Sequence, residues 1–203
     1  TDEPGPPSEL SAQFSGTEDA WKKLLERHSF RDAEKAFRLL KIFVEGPGYV
    51  HISARTSELA RELLPRFFAL CSKSPEASAP ISATQNSNFK FQNFLSDPDR
   101  VLARLDSFIG VYGARALLYE LWTTNPSLFE LLIWLFDRSE FLAEVAIRTP
   151  DLVDELELSG RLRRQKTADE TLADLRHGLK DADQKLWLRK YHQAELMRIG
   201  LRD

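Results

Sequence analysis

Four histidines and a single cysteine are the residues with the widest chemical range in this 203-residue chain. His28, His51, His177 and His192 are scattered, and none has a partner in the His-Glu-x-x-His spacing that puts two zinc ligands on one helix face. Asp174-x-x-His177 sets two groups on one face, but a di-iron bundle needs a second such motif and two further carboxylates. That second copy is absent, so an exposed Asp/His pair is the expectation. Cys71 ends the apolar run Phe67-Phe68-Ala69-Leu70, where burial would raise its thiol pKa and mask it as a nucleophile. Asp151, Asp154 and Glu155 fall in the first turns of a helix, where carboxylates favour the positive end.

Arg161, Arg163, Arg164 and Lys166 form a basic cluster after Gly160 that could meet a phosphate or an acidic partner, and a solvated loop is expected there. Gly46-Pro47-Gly48 is too short for a phosphate loop, and its proline removes a backbone donor, so it reads as a helix stop. Tyr112, Tyr119 and Trp122 could mark a docking face, with core packing the stronger expectation. The residues therefore give no catalytic, cofactor-binding or metal site.

These groups sit on a chain that reads as all-α. Thr17 is placed to cap a helix from Glu18 to about His28, and Asp32 one from Ala33 to about Glu45, which Gly46 stops. Ser53 opens a third helix that Pro65 should kink or split. Asp97-Pro98, Asn125-Pro126 and Thr149-Pro150 repeat one device, a capping side chain before a proline at the first helical position. Gly110 and Gly113 are expected to bend or divide the first of those helices. Helix 126–137 is apolar almost all round and so central. Ser139 and Thr167 cap later helices, and the last begins near Asp181. Tyr49 to Ile52 is the best strand candidate, and it is only four residues long. No repeat of constant period is visible, against a regular solenoid.

The expected organisation is a disordered lead-in over 1–16, a small helical subdomain over 17–73, a linker over 74–96 rich in Ser, Pro, Asn and Gln, and a helical bundle over 97–203. A net charge of −3 argues against a nucleic-acid partner. No run approaches the ~18 apolar residues of a membrane span. With one cysteine no internal disulfide can form, which fits the cytoplasm. The only methionine is Met197, and both ends read as cuts in a longer protein.

The order of small motifs carries a resemblance. His28-Ser29-Phe30-Arg31-Asp32, Ser53-x-Arg55-Thr56 and Leu59-x-x-x-Leu63-Leu64-Pro65 come first. Asp97-Pro98-Asp99-x-x-Leu102-x-Arg104-Leu105, Asn125-Pro126-x-Leu128, Ser139-x-x-Leu142-Ala143 and Thr149-Pro150-x-Leu152-x-Asp154-x-Leu156 follow. The chain closes with Leu188-Arg189-Lys190-x-x-x-x-Glu195-x-x-Arg198-Ile199-x-x-x-Asp203. This series resembles the glutamine synthetase adenylyltransferase family, in the helical stretch that joins its two nucleotidyltransferase halves and leads into the second, adenylylating one.

The resemblance implies a parent enzyme in which one half transfers AMP from ATP to a tyrosine of glutamine synthetase and the other removes it by phosphorolysis, tuned by glutamine and the PII signal protein. ATP and magnesium belong to that parent. Its catalytic signature, a Gly-Ser turn followed by a magnesium-holding Asp-x-Asp, is not found here. Asp181-x-Asp183 lies on an expected helix, so that role is not carried to it. The implied function is a non-catalytic regulatory or linker segment, with a free-standing helical interaction scaffold as the alternative.

Overall fold

A computed structural model describes residue 14 and residues 17–71, 94–153 and 165–202. These residues hold no strand, and their α-helices are α1 (Glu18–Arg27), α2 (Ala33–Glu45), α3 (Ala54–Cys71), α4 (Pro98–Tyr112), α5 (Arg115–Thr124), α6 (Pro126–Arg138), α7 (Glu140–Arg148), α8 (Ala168–Gly178) and α9 (Gln184–Arg202), with residues 151–153 also helical. The chain is all-α, as the periodicity implies. None of the described helices is long and apolar enough to cross a membrane.

Local capping explains most of the starts. Asp32 accepts from Lys35 N–H at 2.9 Å, Asp97 from Arg100 N–H at 3.1 Å and Ser139 from Leu142 N–H at 3.2 Å. Ser53 Oγ accepts from Thr56 N–H at 3.1 Å. Thr167 and Glu170 form a reciprocal capping box. Three expected caps differ: Thr17 precedes α1 without a side-chain cap bond, its hydroxyl donating to Phe14 O at 3.3 Å. Asn125 heads α6 without a side-chain cap bond. Thr149 Oγ1 donates back to Val145 O at 2.7 Å, so its side chain finishes α7, while its carbonyl accepts from Leu152 N–H at 3.1 Å where residues 151–153 turn helical again, as the Thr149-Pro150 pair implies.

Helix α3 runs unbroken through Pro65. That proline is exposed while Leu63, Leu64, Phe67 and Phe68 are buried. The missing backbone bond falls on the side water can serve, and the apolar face holds the helix together. Residues Tyr49 to Ile52 make no strand. Val50 N–H closes a turn on Pro47 O at 2.8 Å, and Tyr49 is 90% exposed. Gly113, at φ 76°, ends α4, whereas Gly110 stays within the helix.

The apolar stripes meet in one core. Helix α1 packs on α2, α2 on α3 and α4, and α3 on α5; α4 packs on α6 and α7, and α9 crosses α6 and α7. Phe14 stacks on Trp21 at 5.0 Å, and Phe108, Trp122 and Phe136 form an aromatic centre with Phe129. Most of the segment expected to separate two subdomains, 74–96, lies outside the described residues. The helices on its two sides share that single core, and Leu95 N–H donates to Leu70 O at 2.9 Å. Helix α8 is different: it packs on α9, and Gly178 is its one buried residue.

Candidate functional site

Every α-helix ends with backbone groups that its own ladder leaves unpaired, N–H at the start and C=O at the end. In this protein, side chains from other helices reach several of them. Asp99, near the start of α4, accepts from Arg31 N–H at 2.7 Å and Asp32 N–H at 3.2 Å, at the head of α2. Asp137, at the end of α6, has a fully buried side chain. It accepts from Ser96 N–H at 3.0 Å, Ser96 Oγ–H at 2.7 Å and Asp97 N–H at 3.1 Å, at the head of α4. Arg138 Nε lies 3.3 Å from the other carboxylate oxygen.

Cations do the converse work. Arg100 Nη2 donates to Asp137 O at 3.0 Å, and Arg104 donates to Phe136 O, both at the end of α6. Arg115 Nη1 donates to Ile42 O at 2.9 Å, and Tyr119 Oη donates to Phe43 O at 2.8 Å, at the end of α2. Carboxylates thus sit at helix starts and guanidinium groups at helix ends, the arrangement the helix dipole favours. Burial pushes the Tyr119 phenol well above its ordinary value, and the opposing pull of Arg115 does not reverse this, so the hydroxyl stays a hydrogen-bond donor.

A second polar cluster joins α8 to α9. Lys166 was expected in a solvated loop, but its side chain is only 10% exposed. Its ammonium pairs with Asp174, and donates to Glu195 at 2.9 Å and Tyr191 Oη at 3.1 Å. Desolvation would lower the pKa of this lysine, and the bonds to Asp174, Glu195 and Tyr191 outweigh it and raise it. A group held so firmly protonated is a poor nucleophile. Burial would raise the Glu195 carboxyl; Lys166 and Arg198 overcome that and hold it below its ordinary range. Arg198 Nη2 meets Glu195 at 2.8 Å. Beside this cluster Trp187 stacks on Tyr191 at 4.9 Å and lies over Gly178, where an added Cβ would clash with the indole.

The other candidates stay apart. Cys71 is buried, and burial, then the charges of Asp137 and Asp99, push its thiol well up. His28 sits edge-on to Phe68 at 4.9 Å, and burial lowers its pKa. His51, His177 and His192 are exposed, and Asp174 turns to Lys166. Among the described residues no group of three His, Cys, Asp or Glu side chains could hold a metal ion. Asp183 is not within a helix but heads α9: Asp181 accepts from Asp183 N–H at 2.8 Å, and Asp183 accepts from Leu186 N–H at 3.0 Å. Tyr119 and Trp122 are core residues, and Tyr112 is half-buried beside Phe108. Arg161, Arg163, Arg164, Asp154 and Glu155 lie outside the described residues.

A bundle whose charged groups tie its own helix ends belongs to the all-α class. Three curated relatives say which proteins contain such a stretch. The chain is 28% identical over 189 residues to the bifunctional glutamine synthetase adenylyltransferase/adenylyl-removing enzyme of Pseudomonas aeruginosa, covering 90% of this chain and 17% of that protein. The like-named protein of Pseudomonas syringae pv. tomato matches at 27% over 192 residues, and that of Thioalkalivibrio sulfidiphilus at 23% over 186. The resemblance carried by the motif order is thus shown over about nine-tenths of the chain, which spans 17% of the length of these relatives. No family model matches the chain, and no solved structure matches it.

Proposed function

We propose that this chain is a non-catalytic helical segment of a bifunctional enzyme that adds adenylyl groups to glutamine synthetase and removes them, and that it holds the catalytic parts of that enzyme in place. The observation that carries this reading is the co-linear similarity of nearly the whole chain to a single sixth of such enzymes. The employment of the clustered side chains supports it. Asp99, Asp137, Arg100, Arg104 and Arg115 bind backbone groups of this bundle, so these charges serve its own helix ends. On this reading ATP and magnesium are handled elsewhere in the parent enzyme, the setting is cytoplasmic, and the segment lies where a PII or glutamine signal would pass between two catalytic activities.

The test is a chimera. The matching stretch of the Pseudomonas aeruginosa enzyme is replaced by this chain, and adenylyl transfer to glutamine synthetase and its removal are measured. Both activities should persist in the chimera, while the 203-residue chain alone should transfer no AMP. A folded chimera without either activity, or AMP transfer by the chain alone, would contradict the proposal.

A further inference from the structure

One face runs the length of α9. Trp187, Tyr191, Ala194, Arg198 and Leu201 recur four and three residues apart, the spacing of a single helical stripe, and each is buried or half-buried. Two different parts of the molecule cover that stripe. In its first half Trp187 lies over Gly178 of α8. In its second half Met197 and Leu201 join the common core, and Gly200 lets the helix approach Leu142 of α7. A Cβ added at either glycine would strike the side chain facing it.

Glu195 stands between the two halves, and its two oxygens serve different cations. Oε1 accepts from Lys166 Nζ at 2.9 Å, and Lys166 is paired in turn with Asp174 of α8. Oε2 accepts from Arg198 Nε at 2.9 Å, and Arg198 is buried in the second half. Lys166 directly precedes Thr167, the cap of α8, so a displaced α8 carries Lys166 and Asp174 away with it. Hydrogen bonds in such a chain support one another: a cation that fixes one oxygen fixes the carboxylate plane offered to the next. Without Lys166 the Glu195 carboxylate is free to turn, and Arg198 loses a fixed acceptor.

We infer that Glu195 is a coupling residue: through it, docking of α8 strengthens the seating of residues 194–201 on α6 and α7, and displacement of α8 weakens that seating. This coupling needs only contacts within the chain and stands whatever enzyme contains it. It gives an event at α8 a route into the bundle, which a plain spacer would lack. A continuous helix can also pass a change along its own backbone, so the test has to separate the carboxylate from the helix.

The experiment is amide hydrogen exchange on the full 203-residue chain, on Gly178→Leu, on Glu195→Gln and on the double variant, each checked for helix content by circular dichroism. Gly178→Leu wedges α8 off Trp187 without touching the ion pairs. In the parent background it should accelerate exchange at residues 194–201 by about five-fold or more. In the Glu195→Gln background, where the link is already cut, it should accelerate α8 and add nothing at 194–201. Equal acceleration at 194–201 in both backgrounds assigns the effect to the helix backbone and overturns the role of Glu195. Exchange at 194–201 that ignores the wedge in the parent chain overturns the coupling, and so does a wedge that leaves α8 itself protected. If Gly178→Leu lowers the overall helix content, Gly178→Ala takes its place and is read in the same way.

Discussion

The bundle α1–α7 and the arm α8–α9 both cap helices locally, and they differ in what the bundle adds to those caps. In the bundle, helix ends are tied across long sequence separations: Asp99 to Arg31 and Asp32, Asp137 to Ser96 and Asp97, Arg115 to Ile42. In the arm the ends close locally, through Thr167 with Glu170 and through Asp183 with Leu186. Long-range ties make the bundle fail as a unit. Local ties, with little buried apolar surface behind them, let the arm open while the bundle stands. Rigidity therefore belongs to the part that would hold other domains, and adaptability to the part that exposes its leucines.

The largest effect should come from Asp137→Ala. It removes the buried acceptor of two backbone N–H groups and the Ser96 hydroxyl, at a cost of about 3 kcal/mol. Chemical denaturation should show the loss in the single transition of the whole bundle. A drop confined to the arm would break the comparison.

Lys166→Met comes next. It leaves Asp174 and Glu195 facing each other without their shared cation and should weaken the arm by about 1–2 kcal/mol. Amide exchange in α8 and the first half of α9 should accelerate while the denaturation midpoint of the bundle holds. Acid should do the same more gently. The Glu195 carboxyl has a pKa below the ordinary 4.5, so its stabilising link to Lys166 and Arg198 is full above that value and is lost as pH falls beneath it through the folded pKa. Near-ultraviolet dichroism of the stacked Trp187 and Tyr191 should report this loosening. Leu188→Ser, at a side chain already 52% exposed, should shift stability by no more than about 0.5 kcal/mol.

What could be read from the sequence was what the chain encodes over three or four residues. Asp32, Asp97, Ser139 and Thr167 cap the helices their spacing announces, and the apolar faces of α2 and α6 are those the periodicity marks. The ties between helices were not legible, because Asp137 and Ser96 or Arg115 and Ile42 meet only once the helices pack. The same holds for Lys166: a lysine after three arginines in a loop reads as solvated until Asp174 and Glu195 arrive from two helices. Pro65 does not split α3, and the Thr149 hydroxyl turns back to Val145, for a related reason. A residue that usually ends or starts a helix does so only when burial and neighbouring backbone do not decide otherwise.

Native-state hydrogen exchange along the full chain tests the division between bundle and arm most directly. The account predicts that the slowest amides of α3, α4 and α6 exchange only through global unfolding, while those of α8 and the first half of α9 exchange through a smaller local opening that Lys166→Met lowers further. Equal protection in both regions, lost together in every variant, would contradict it.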